Sequence, residues 1–220
     1  MAAPSDPELL VLHALRLKAV AGAEVVAATT GLDAGDVDVH LKAAADEGWV
    51  RHRDGALPGW SLTPTGRAED GRRLADELDR VGARPTVEAG YARFLELNPE
   101  LLQVCTDWQL VPPPGATTAG ATPPAPTPND HADAGYDEAV LARLQQIDER
   151  AQPVCTDLGS ALERFAGYGP RLTTALGRTL AGDGQWLDRP VIDSYHTVWF
   201  ELHEDLLATL GRDRSQERSA

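Results

Sequence analysis

The sequence predicts a mainly α-helical protein with one small β-hairpin. Apolar residues recur at helical spacing over most of the 220 residues. Residues 49–53, "WVRHR", and 59–63, "GWSLT", read instead as strands flanking a turn-rich tip, "DGALP". The tract "VPPPGATTAGATPPAPTP", residues 111–128, divides the later helices and is too rich in proline for a helix or a sheet ladder.

Taken in order, "DPELLVLHALRL" places Leu9, Leu12, Leu15 and Leu17 near helical spacing, with Asp6 as cap and Pro7 at the first helical position. "GAEVVAATTG" is a short helix ended by Gly31. In "LDAGDVDVHLKAAADEGW", Asp33 caps a helix whose apolar stripe is Val37, Leu41, Ala44 and Ala45, and Gly48 stops it. After the hairpin, Thr63 before Pro64 marks the start of "PTGRAEDGRRLADELDRVG".

This order of helix, helix-turn-helix, two-stranded wing and helix, together with "EGWVRHR" and "LTPTGR" (Leu62 to Arg67), resembles the winged helix-turn-helix repressors of the MarR and PadR type. The resemblance covers the first third of the chain. It implies a winged-helix domain over residues 1–84 and leaves 85–220 as an α-helical effector or dimerisation domain with a disordered loop at 111–130. It also implies a recognition helix at about Ala34 to Glu47 that enters the major groove of duplex DNA, with the wing against backbone. The residues it assigns to DNA are His40, Lys42, Arg51, Arg53 and Arg67, with Arg72 and Arg73 following on the next helix. Asp36 and Asp38 depart from the pattern, because carboxylates repel phosphates. The alternative reading keeps the fold as a protein-docking or accessory module that does not bind DNA.

In the second half, "ARPTVEAGYARFLELNPELLQVCTDWQLV" reads as two helices broken at Asn98-Pro99, with Asn98 capping the second. Beyond the tract, one amphipathic helix runs through Val140, Leu144 and Ile147. Another begins near Pro153 and carries Val154, Leu158, Ala161, Leu162 and Phe165; "PRLTTALGRTLAGDG" is a third. The last helix, "RPVIDSYHTVWFELHEDLLATLG", places Asp193, His196, Phe200 and His203 on one face. Its aromatic content points to burial, or to a small-molecule effector pocket lined by Trp108, Tyr195, His196, Trp199 and His203. Residues i and i+7 lie about 10 Å apart along a helix, too far for His196 and His203 to ligate one metal ion. The neighbouring Glu204 and Asp205 read as solvated.

The word "VCTD" occurs twice and holds both cysteines, Cys105 and Cys155. Each lies on or beside an apolar stripe and reads as a buried thiol, with a redox pair as the alternative. No metal or cofactor motif is present, and no Gly-rich phosphate loop, G-x-S-x-G or HExxH appears, so a binding protein is expected rather than an enzyme. The formal net charge is -14, which confines any nucleic-acid contact to a local basic patch. Residues 1–85 carry ten Lys+Arg against fourteen Asp+Glu and the remainder ten against twenty, so the first part is the less hostile to DNA. With no signal peptide and no apolar run of membrane-spanning length, a cytoplasmic protein with no membrane association is expected, and the resemblance to those regulators implies a homodimer.

Overall fold

The helices of the first third begin and end where a side chain or glycine can satisfy backbone groups left without helical partners. In the computed structural model, which describes residues 2–55, 58–112 and 125–213, α1 (Pro7–Lys18) starts at Asp6. The Asp6 carboxylate accepts from the N–H groups of Glu8 and Leu9 at 3.0 and 3.3 Å. Helix α2 (Ala23–Thr30) ends at Gly31, and α3 (Ala34–Asp46) is closed two residues on by Gly48, both at φ +73°. Asp33 caps α3 through the Gly35 N–H at 2.7 Å. Strands β1 (Val50–Arg53) and β2 (Gly59–Leu62) pair antiparallel, and β2 also bridges Ala21 through Trp60.

The "LTPTGR" stretch fastens the next helix, α4 (Pro64–Arg80), to the α3–β1 corner. Thr63 accepts the Gly66 N–H at 3.0 Å and donates to the Gly48 carbonyl at 2.7 Å, while Thr65 donates to that carbonyl at 3.0 Å. Gly66 lies so close to Trp49 that a Cβ there would stand 1.8 Å from the Trp49 carbonyl oxygen.

The later helices are longer than the sequence implied. Helix α5 (Arg84–Gln109) runs through Pro99, and α6 (Ala134–Ala161) runs through Pro153. The expected breaks at both prolines are therefore corrected. Both are exposed, so solvent can satisfy the carbonyl each leaves without an N–H partner, while buried Leu97, Leu101, Ala151 and Val154 hold the flanking turns. Asn98 does not cap a helix; its Oδ1 accepts from the Trp199 indole at 3.0 Å.

The ends of the proline-rich tract do form a ladder, against expectation. Strand β3 (Leu110–Val111) pairs antiparallel with β4 (Thr127–Pro128). Asn129 donates its N–H to the Gln109 carbonyl at 2.8 Å, so the missing Pro128 N–H is bypassed. Residues 113–124 of the expected disordered loop lie outside the described residues. Beyond α6 come a 3-10 turn (Glu163–Phe165), α7 (Tyr168–Leu180), α8 (Gln185–Asp188) and α9 (Tyr195–Leu210). The last helix starts later than expected because Ser194 caps it, accepting the Thr197 N–H at 3.2 Å. Asp193 thus precedes the helix and pairs with Arg171, and Phe200 is 49% exposed rather than buried with the histidines.

The chain packs as two compact units, each discontinuous in sequence. The first comprises Met1–Ala89, Asp157–Ala166 and Glu201–Ala220, and the second Gly90–Thr156 and Gly167–Phe200. The first has an apolar core from α1, α2, α3 and β1, centred on Leu12, Leu15, Val26, Val37, Leu41 and Val50.

Beside that core lies a buried charge cluster. His13 Nδ1 is 3.3 Å from Asp70 Oδ1, and its Nε2 is 3.1 Å from Asp205 Oδ1. Arg164 pairs with Glu77 at 3.1 Å and with Asp205, and donates to Thr209 at 2.7 Å. Asp205 is thus not solvated, as expected from sequence, but 1% exposed. Burial opposes charge on His13, but the Asp205 and Asp70 carboxylates outweigh it and raise the pKa to about 9. Burial likewise opposes charge on Asp205, and Arg164 and His13 hold its carboxyl well below the usual range.

Two outcomes follow for stability. His13→Ala should cost about 3–5 kcal/mol in urea denaturation at neutral pH, because it removes one partner from a buried charge cluster. Since the folded pKa of His13 lies above the ordinary 6.5, its contribution is complete below about pH 6.5 and lost as pH rises through about 9. In His13→Gln that segment of the stability profile should flatten. Gly66→Ala should destabilise by about 1–3 kcal/mol, read as a lower urea midpoint, because the Trp49 backbone must move.

Candidate functional site

Two surfaces, one in each unit, are candidate sites. In the first, β1 has one buried residue, Val50, and three exposed ones. Alternation along the strand puts Arg51 and Arg53 on one face and His52 on the other. His52 meets its cross-strand neighbour Trp60 edge to face, with ring centroids 5.1 Å apart, and lies 3.3 Å from Asp54. Arg51 and Arg53 are exposed and form no ion pair with another described residue. On α3, Lys42 is exposed and His40 half-buried, among exposed Asp36, Asp38, Asp46 and Glu47.

The basic residues of α4 are differently disposed. Arg72 binds Glu69 and Asp76 at 2.6–2.8 Å, and Arg73 binds Glu69 and Glu8 at 2.7 Å. The Arg72 hydrogen bond, supported by Arg73 and opposed by burial, holds Glu69 down at about 2. These two arginines are therefore engaged by carboxylates of α4 and by Glu8, unlike Arg51 and Arg53. Arg67 is 54% exposed and stands 4.0 Å from Glu204.

In the second unit a pocket of about 600 Å³ opens between the end of α5, the start of α6 and the α7–α8 turn. Trp108 and His131 face each other there, with ring centroids 4.4 Å apart and planes tilted by 43°. Asp133 caps α6 through the Gly135 and Tyr136 N–H groups at 3.0 and 3.1 Å. That cap leaves His131 just outside the helix and Asp137 in its first turn. The His131 Nδ1 then lies 2.9 Å from Asp137 Oδ2, and Asn129 donates to Asp137 Oδ1 at 2.9 Å. The only sequence signal for this arrangement is the "NDHADAGYD" cap, which by itself announces no more than a helix start.

Of the five residues expected to line one pocket, Trp108 lines this one and the other four are not among its walls. Tyr195 and Trp199 are core residues of the second unit. Trp199 stacks on Phe94 at 4.5 Å, and the Tyr195 hydroxyl donates to buried Asp148 at 3.1 Å. Burial first, and then Asp148, raise the Tyr195 pKa, so the phenol stays protonated. His196 is half-buried, and His203 is buried and belongs to the first unit. Among the described residues no group of three or more His, Cys, Asp or Glu is placed to hold a metal ion. No helix of the described residues is long and apolar enough to cross a membrane.

No family model, curated protein or solved structure matches the chain.

Both cysteines are free and buried in the second unit. Burial pushes each thiol up to about 12, helped by Asp188 for Cys105 and by Asp148 for Cys155. Neither carboxylate is the one that follows the cysteine in sequence. Native protein at about pH 8 should therefore release almost no thionitrobenzoate from a disulfide reagent, and two equivalents should appear on denaturation. Rapid labelling of the folded protein would restore the redox reading.

Proposed function

We propose that this protein is a DNA-binding transcriptional regulator acting as a homodimer. In this reading α2 and α3 form the helix-turn-helix, α3 lies in the major groove, and β1–β2 is the wing against backbone. The observation that carries it is the pair Arg51 and Arg53, exposed on one strand face beside α3 and engaged by no carboxylate among the described residues. The order of α1, the Ala21 bridge, α2, α3 and the hairpin supports the likeness to MarR-type and PadR-type regulators. Lys42 and Arg67 add cationic reach, and His40 is the base-facing polar residue of α3. The pocket at Trp108 and His131 would hold a small-molecule effector.

A second reading makes the same surface a protein-docking face. Val39 on α3 and Val25 on α2 are 64% and 47% exposed, among the acidic residues of α3. That combination favours a partner with basic and apolar side chains.

The two readings part in a titration of labelled duplex from the gene's own upstream region, followed by fluorescence anisotropy across a salt series. The regulator reading expects affinity that falls steeply with salt. Arg51→Ala/Arg53→Ala should reduce the logarithmic slope by about 0.9 for every phosphate that the two guanidinium groups neutralise. Folded protein that fails to bind at low salt, or binding that the double variant leaves intact, rejects DNA recognition by the wing and leaves the docking face.

A further inference from the structure

We propose that the pocket beside Trp108 binds a small organic cation, an amine or amidine carried on a flat apolar body. Its walls contain two carboxylates, Asp137 and Asp188, and neither lysine nor arginine. An anion would meet two carboxylates there, whereas a cation meets the opposite sign beside an indole. The volume, about 600 Å³, lies within the usual range for small-molecule sites.

The two carboxylates are not equivalent. Both Asp137 oxygens are occupied, one by Asn129 and one by His131. Asp137 therefore orients His131: with Nδ1 donating to Asp137, Nε2 is the ring's remaining acceptor. Asp188 accepts from Gln109 through Oδ2 at 2.6 Å, and its Oδ1 has no bond to a described residue. That oxygen is the counter-ion for the ligand's charge.

The apolar body is recognised by Trp108, with Leu141 and Leu180 in the same wall. Trp108 packs against bare Gly184, where a Cβ would stand 2.8 Å from the indole Cζ2. His131 has φ +59°, rare for a residue with a side chain, and is held there by its own N–H bond to Asn129 Oδ1 at 3.0 Å.

This assignment deepens the reading of the pocket as an effector site, and direct binding separates the two claims. The probes are 2-naphthamidine, 2-naphthamide and 2-naphthoate, which share a shape and differ in charge, titrated calorimetrically into the full chain. The amidine should bind at least about tenfold more tightly than the other two, a gap typical of one charged hydrogen bond. Asp188→Asn should remove most of that preference, Gly184→Ala should weaken the amidine by displacing the indole, and Glu149→Gln on exposed α6 should change nothing. Should either pocket variant fail to fold, the charge series on the unaltered protein still decides. Equal affinity for all three probes, no binding, or a preference that survives Asp188→Asn overturns the cation site. Amidine binding that leaves DNA affinity unchanged upholds the cation site and removes only the effector role.

Discussion

His13 and Arg164 are cations almost fully enclosed by the first unit, and the surrounding carboxylates make that tolerable. Asp70 and Glu77 come from α4, and Asp205 and Thr209 from the end of α9. Arg16, one turn beyond His13, adds bonds to Asp70 and Glu204. Burying any one of these charges alone is prohibitive, so α1, α4, the 3-10 turn and the end of α9 must assemble together. This cluster accounts for the discontinuity of the unit. Residues 157–166 and 201–213 belong with the N-terminal helices because they supply the partners of His13 and Glu77. A packed apolar substitute could match the cluster in energy, but mispairing it leaves a bare charge inside, which penalises other arrangements of the same helices.

The same pairing logic shapes the surface. A chain with net charge -14 has carboxylates to spare, and Arg72 and Arg73 of α4 are taken up by them. Arg51 and Arg53, exposed on a two-stranded hairpin, pair with no carboxylate among the described residues. In the second unit Arg143, Arg150 and Arg171 pair in the same way, while among the described residues the Trp108 pocket is lined by Asp137 and Asp188 and by no lysine or arginine.

The candidate site was legible only in part. Arg51 and Arg53 were named from the resemblance alone; the strand that carries them was legible in its residues, and the structure leaves both exposed. The aromatic character of α9 was legible too, but its role was not. Tyr195 and Trp199 found polar partners in Asp148 and Asn98, each far away in sequence, and so became core. Trp108 acquired a pocket because Gly184 and Asp188 arrive from a segment that sequence periodicity does not mark. His13 carried a weak signal as a lone imidazole inside the apolar run "LLVLHALRL", yet nothing local names Asp70 or Asp205 as its partners.

The sequence by itself determined those features whose physics closes within a few residues. Asp6, Asp33 and Thr63 cap helices through N–H groups two or three positions ahead, Gly31 and Gly48 end them, and the hairpin follows from its alternation and turn. Tertiary structure decided whatever depends on a distant partner or on which side faces solvent. Pro99 and Pro153 look like breaks in the chain, but their exposed faces and buried flanks let α5 and α6 continue. Asp205, next to half-buried Glu204, became the centre of a buried cluster because His13 and Arg164 came to it from distant parts of the chain.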